Sequence, residues 1–348
     1  LPLSEQGDPT DRFYDYADMV GRCEGHSYLI YNSQKLLEQC QFSFYFQAVK
    51  NRRDILGSDW EDFDYLRQET YSLDETKEKR IIKELEIIQQ KGFVSYFLIN
   101  YDIVNFAQHK NFFYVGRGSG ANSIVAYCLA ITDVDPIELD LYFERFINLY
   151  RENPPDFDLD FSWKDRDEIT RYIFDTYNQP KQDHVCLLAT FNTFQYNSVL
   201  RELGKVFGLP KSEIESLIYY GDKLDSSNYI PDQYGKLIYQ YAKVIRNMPS
   251  HLSIHAGGIL ISHKPIHYYT ATELPPKGFA TSQFDMHVAE DIGLHKFDIL
   301  SQRGLGHIKS ALELIHTNQG KTVDIRQVAA FKKDPAIKAH LREGRTIG

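Results

Sequence analysis

Residues 155–161 read Pro-Asp-Phe-Asp-Leu-Asp-Phe, so three carboxylates alternate with three apolar side chains directly after two prolines. A strand repeats its side-chain direction every two residues. Asp156, Asp158 and Asp160 are therefore expected on one face, and Phe157, Leu159 and Phe161 on the other, against a core. Like charges sharing a face repel unless something positive sits among them, and a divalent cation, or a pair, is the simplest solution. Hard cations such as Mg²⁺ take oxygen ligands and keep positions open for phosphate oxygens. By strand rise, positions i and i+2 lie roughly 6.6 Å apart, close enough for carboxylates to share metals about 3.5–4 Å apart. Positions i and i+4 lie roughly 13 Å apart, too far. The metal pair is thus Asp156/Asp158 or Asp158/Asp160. A solvated acidic face or a single structural Ca²⁺ site is the alternative.

Other residues could complete such chemistry. Gly116-Arg117-Gly118-Ser119-Gly120 falls between an expected strand and helix. Its glycines permit a tight turn with outward N–H groups at a helix N-terminus, where phosphate is the natural ligand. Arg117 and Ser119 could reach phosphate oxygens; a plain tight turn is the alternative. Lys296-Phe297-Asp298 puts a lysine and a carboxylate on one strand face. Asp298 could complete the metal site and Lys296 bind phosphate, or the two could form a simple salt bridge. Arg145, within Phe143-Glu144-Arg145-Phe146, could bind phosphate or pair with Glu144. His255 precedes a glycine turn and reads as a structural hydrogen bonder. Together the pieces fit phosphoryl transfer, which depends on positioning and charge neutralisation.

Patterning suggests how these groups are held. Apolar residues Ile81, Ile82, Leu85 and Ile88 recur at helical spacing over 74–90, with Gly92 as a stop. A second helix is expected over 96–106, a strand at 112–115, a helix over 121–131, another over 165–177 and a strand at 184–190. Residues 191–250 read as mostly helical, with Ser212 as a cap. Strands return at 257–262, 282–284 and 294–300, followed by a helix at about 304–316. A sheet domain interrupted by a helical subdomain is the simplest arrangement.

Length allows about two or three domains. Hydrophobic residues make up 43% and charged residues 25%, as in a soluble globular protein. Nothing approaches the apolar length of a membrane span. The four cysteines, Cys23, Cys40, Cys128 and Cys186, show no metal-type pairing and suit reduced thiols in the cytoplasm. A net charge of −9 argues against a protein that coats nucleic acid, though not against a nucleic-acid enzyme with a local basic groove.

Taken in order, the segments resemble the alpha (catalytic) subunit family of bacterial C-family DNA polymerases. They are Gly116 to Ala121, Ala126-Tyr127, Ile131 to Pro136, Phe143 to Phe146, Pro155 to Phe161, His255 to Gly258, Gln283 to Asp285 and Lys296 to Asp298. The resemblance covers roughly residues 75–315. It implies an α+β fold, a mixed-sheet palm like that of polymerase-beta nucleotidyltransferases with an inserted helical thumb. Residues 1–27 would be the edge of a PHP domain, 28–189 and 251–300 the palm, 190–250 the thumb, and 301–348 the start of truncated fingers.

By that resemblance Asp156 and Asp158 bind two Mg²⁺ ions, Asp298 is the third catalytic carboxylate, and Asp160 is a neighbour on the same face. Gly118 and Ser119 would bind the triphosphate, with Arg117, Arg145 and Lys296 as phosphate ligands. The reaction implied is template-directed DNA synthesis from deoxynucleoside triphosphates on primer-template DNA, in the cytoplasm. In a full-length protein, a sliding clamp and other replisome subunits would be partners. A metal-dependent phosphodiesterase and a catalytically degenerate DNA-binding paralogue are the rivals. The sequence departs from the family after Asp298, where Ile299-Leu300-Ser301-Gln302-Arg303 replaces the usual Phe-Leu-Gly-Leu-Arg, which leaves replicative and translesion roles open.

Overall fold

A computed structural model describes residues 14–40, 45–46, 48–144, 148, 150, 154–221 and 232–345. Helices α1 (Tyr16–Arg22), α2 (Ser27–Gln39), α3 (Asp59–Thr70), α4 (Glu75–Gln90) and α5 (Val94–His109) come first. Strand β1 (Tyr114–Arg117) leads through a 3-10 turn (Ser119–Asn122) into α6 (Ile124–Cys128), followed by β2 (Asp158–Ser162), α7 (Arg166–Tyr177) and β3 (Val185–Thr193). Helices α8 (Tyr196–Val206), α9 (Lys211–Gly221) and α10 (Gln233–Ile245) separate β3 from β4 (Pro249–Ile261). Then come β5 (Thr272–Glu273), β6 (Thr281–Ser282), α11 (Met286–Asp291), β7 (Phe297–Gln302), α12 (Arg303–Gln319), α13 (Val328–Lys333) and α14 (Pro335–Arg342).

The strands form one seven-stranded mixed sheet in the order β1-β2-β7-β4-β3-β6-β5. β2 runs parallel to β7 and antiparallel to β1. A crossover of this kind brings residues distant in sequence side by side. The architecture is α+β, as expected.

The chain divides into two compact units, residues 47–190 with 252–348, and residues 1–46 with 191–251. In the former, α5 is buried nearly all round, which marks a central helix. Its Phe97, Ile99 and Ile103 pack with Ile81, Leu85 and Ile88 of α4 and with Phe157, Leu159 and Phe161. The alternation in the acidic segment thus sends its apolar half into the core. Each such buried side chain contributes about 1.5–3 kcal/mol. In the latter unit, Val199 and Leu200 of α8 meet Leu217 of α9 and Ile238 and Ala242 of α10. Tyr239 Oη donates to the Leu217 carbonyl at 2.7 Å.

Three local expectations shift. The acidic strand begins at Asp158, leaving Asp156 just before it and exposed. The helix expected over 121–131 shrinks to α6, because Ser123 adopts extended backbone and caps it, accepting from Ala126 N–H. Helix α9 starts at Lys211, so Ser212 lies inside it rather than before it.

Candidate functional site

The site starts from strand register. Asp158 of β2 lies directly opposite Asp298 of β7, and Arg117 of β1 lies directly opposite Asp158. Three charged residues from three separate segments therefore form one row across the sheet. Three aromatic contacts fix the row from below. Tyr96 of α5 stacks on Phe157 at 5.7 Å between ring centroids and on Phe297 at 4.8 Å, and Phe97 meets Phe157 edge-on at 5.1 Å. Phe157 and Phe297 each immediately precede one of the two acids, so a single tyrosine braces both.

Two cations offset part of the charge of the four carboxylates in the site. Arg117 donates from Nη1 to Asp158 Oδ2 at 2.6 Å and from Nε to Asp160 Oδ2 at 2.7 Å. This confirms that Asp158 and Asp160 share a face, and it turns Arg117 toward carboxylates. Lys296 Nζ pairs with Asp298 Oδ2. Asp298 Oδ1 is buried and has no hydrogen-bond partner among the described residues.

The pKa shifts follow from these neighbours. Burial raises the Asp158 carboxyl above the ordinary aspartate value; Arg117 pulls it back, while Asp298 and Asp156 push it further up. Hydrogen bonding to Asp160, with the charge of Asp158, raises the Arg117 guanidinium. Burial works against the Lys296 ammonium, but Asp298, Asp156 and Asp158 carry its pKa above the usual lysine value. Burial raises Tyr96, and the three carboxylates add to it. Asp156, Asp158, Asp298 and Lys296 thus occupy one electrostatic neighbourhood.

The glycine turn is tied to the same row. Ser119 Oγ accepts from the Asp156 N–H at 3.0 Å, and the Gly120 N–H donates to the Asp156 carbonyl at 3.0 Å. Gly118 has φ +95°, and a Cβ there would come within 2.5 Å of that carbonyl. Only glycine serves at such a position. The Gly120 N–H therefore points inward to the chain rather than outward.

A family model described as the bacterial DNA polymerase III alpha NTPase domain matches residues 59–301. This chain belongs to that family. It is 36% identical over 285 residues to an error-prone DNA polymerase of Symbiobacterium thermophilum, covering 78% of this chain and 25% of that protein. It is 34% identical over 290 residues to the DNA polymerase III subunit alpha of Bacillus subtilis, covering 79% of this chain and 26% of that protein. A DNA polymerase III subunit alpha of Ureaplasma parvum is 33% identical over 282 residues, with coverages of 78% and 29%. The chain spans about a quarter to a third of the length of these relatives.

In this member of the polymerase III alpha family, then, Asp156, Asp158, Asp298, Arg117, Gly118, Ser119 and Lys296 come together. Arg145 lies outside the described residues, and Glu144 pairs with Lys83. His255 accepts from the Gly257 and Gly258 N–H groups through Nδ1, the structural role expected of it. Among the described residues no group of three or more His, Cys, Asp or Glu is arranged to hold a metal ion.

Sequence reasoning missed the groups that support the turn. Glu84 of α4 is fully buried; it accepts from Ser123 Oγ at 2.7 Å, Val125 N–H at 3.3 Å and Arg80 Nε at 3.0 Å. Arg80 Nη2 reaches the Asn122 carbonyl at 3.1 Å. The signal was present: Glu84 sits three residues after Ile81 and four before Ile88, on the apolar face of its helix. Tyr96 carried no such mark, because it belongs to a mostly apolar run that is buried nearly all round. Among the described residues, no helix is long and apolar enough to cross a membrane.

Proposed function

We propose that the chain is the palm, inserted helical thumb and first part of the fingers of a bacterial C-family DNA polymerase. It would supply the site where a primer 3′-hydroxyl attacks the alpha phosphate of a deoxynucleoside triphosphate and releases pyrophosphate. The palm would comprise residues 28–189 and 251–300, the thumb 190–250, and the opening of the fingers 301–348. The observation that carries this reading is the direct register of Asp158 with Asp298, with a cation beside each.

Asp156, Asp158 and Asp298 would hold a pair of Mg²⁺ ions. The donor set is all oxygen, and the buried, unpartnered Asp298 Oδ1 suits a hard cation. Bound there, the ions would neutralise phosphoryl charge and make the attacking hydroxyl more acidic.

The protein's own groups do the positioning. Arg117 and Lys296, each resting on a carboxylate, would exchange those contacts for phosphate oxygens of the incoming nucleotide. Ser119 Oγ accepts from Asp156, which leaves its hydroxyl proton to donate to a phosphate oxygen. Gly118 lets the backbone approach closely. Primer-template DNA would be the partner of this region, in the cytoplasm. The sliding clamp and other replisome subunits would engage other parts of the full-length polymerase. The remaining fingers would be needed to close on the nucleotide, so the chain alone is expected to be inactive.

The test is primer extension by the full-length protein carrying Asp158→Ala. Extension should vanish while the circular dichroism spectrum stays native. A variant that still extends primers would overturn the assignment.

A further inference from the structure

A second basic site lies apart from the acidic row. A cavity of about 510 Å³ is lined by Arg52, Arg53, Lys91, Trp60, Ser95 and Asp59, among others. Three cations face one carboxylate there, although the chain as a whole carries a charge of −9. The cavity therefore runs against the overall charge, as a local anion site would.

The start of α5 contributes to its lining. That helix is 16 residues long, and its N-cap, Phe93, provides no side-chain cap. Among the described residues the N–H groups of Val94, Ser95 and Tyr96 have no hydrogen-bond acceptor. Helix N-termini left in this state attract anions. The preceding helix does not cancel the effect, because the N–H groups of Lys91, Gly92 and Phe93 satisfy carbonyls at the end of α4.

A buried hydroxyl adds an independent pointer. Ser95 is only 7% exposed, yet it lines the cavity, and its Oγ makes no hydrogen bond among the described residues. That leaves the hydroxyl able to donate to a ligand oxygen in the cavity. The arginines are held from behind. Arg52 Nε donates to the Asp54 carbonyl at 3.1 Å and Arg53 Nη2 to the Val49 carbonyl at 3.1 Å. Each guanidinium keeps further donors. Trp60 is 70% exposed and offers an indole face to a planar ring.

We propose that this cavity binds the phosphate of a nucleotide, seated on the α5 N-terminus among Arg52, Arg53 and Lys91, with Ser95 donating to it and the base against Trp60. The nucleotide is either free or part of a single DNA strand. The site uses none of the residues of the acidic row, so it stands or falls separately from the polymerase reading.

Trp60 is its own reporter. The chain has two tryptophans, Trp60 and Trp163, so Trp163→Phe leaves Trp60 as the sole indole. The chain is titrated in EDTA with thymidine, thymidine 5′-monophosphate, inorganic phosphate and an eight-residue oligothymidylate, following tryptophan fluorescence. Both phosphorylated thymidine ligands should quench it; thymidine should not, and phosphate should compete. Arg53→Ala with Lys91→Ala should weaken binding about tenfold or more, and Ser95→Ala should weaken it less. Trp60→Phe in the natural chain should abolish the response.

If the source is a strand, the oligonucleotide binds more tightly, with a salt slope near −2 from three cations, falling to about −0.7 in the double variant. Equal affinity for the mononucleotide identifies a free nucleotide. No quenching by either ligand, or quenching that ignores Arg53 and Lys91 in variants with native circular dichroism, would overturn the proposal.

Discussion

Asp158 and Asp298 lie at the same level of two adjacent parallel strands, although the whole helical insertion separates them in the chain. Parallel pairing achieves this because β2 and β7 are joined only by a long crossover, so their register is set by core packing rather than by a turn. Phe157 and Phe297 set it here, both stacked on Tyr96. A slip of β2 by one residue would turn Asp158 toward the core and out of line with Asp298.

This arrangement makes the Lys296–Asp298 pair a sensitive place. The side chains are 18% and 8% exposed. Removing one partner of a buried pair leaves an uncompensated charge, at a cost of about 3–5 kcal/mol. Lys296→Ala should therefore lower the melting temperature in EDTA. A cation that binds the folded state stabilises it by mass action. Millimolar Mg²⁺ should raise the melting temperature of Lys296→Ala more than that of the parent chain, as calorimetry would show. Equal shifts in the two proteins would count against Asp298 as a cation ligand.

Glu84 should matter although it lies behind the turn. Burial raises its carboxyl above the usual glutamate value, while Ser123 and Arg80 hold it down. Glu84→Ala strands Arg80 and the Val125 N–H, and should cost about 3–5 kcal/mol in urea unfolding. Glu84→Gln keeps the shape and some of the hydrogen bonds, and should cost about 1–3 kcal/mol. In the full-length polymerase, Glu84→Gln should raise KM for the nucleotide more than it lowers kcat, since the glutamate positions the turn and touches no reacting atom.

Gly120 tests how tightly the turn packs on the acidic segment. A Cβ there would lie 2.1 Å from the Phe157 ring. That ring is itself held by Tyr96 and Phe97, so it cannot swing aside freely. Gly120→Ala should destabilise the fold by about 1–3 kcal/mol, measured by urea unfolding.

The sequence revealed much of this and concealed some. Alternation at Asp156 to Phe161 showed which side chains face the core, because a period of two is a local property. It did not show where the strand begins, because that depends on the partner: β2 starts at Asp158, where pairing with Arg117 and Asp298 starts. Helix α4 was legible from its apolar spacing and α6 was not, since Ser123 interrupts it in answer to a glutamate 39 positions earlier in the chain. The pairing of Arg117 with Asp158 and Asp160 was also hidden. The resting partners of that arginine depend on the neighbouring strand, which the local sequence does not name.

Acid should weaken the fold through His295. Its ring is buried, and burial lowers its pKa from the ordinary 6.5 to about 4. Its backbone is locked by Asn51, which accepts from the His295 N–H at 2.7 Å and donates to its carbonyl at 2.6 Å, so the ring has little room to escape to solvent. Between pH 6.5 and 4 the unfolded chain binds a proton at this position that the folded chain does not. Stability therefore rises with pH across that window. The contribution is complete above 6.5 and is lost as pH falls to about 4, an effect of about 3 kcal/mol for this shift. His255 acts in the same direction, since burial and Lys296 lower its pKa while Asp298 opposes them. Urea unfolding at pH 7 and pH 4.5 should show the loss in the parent chain. His295→Gln should remove most of the difference, and an unchanged slope in that variant would mean that other groups carry the acid sensitivity.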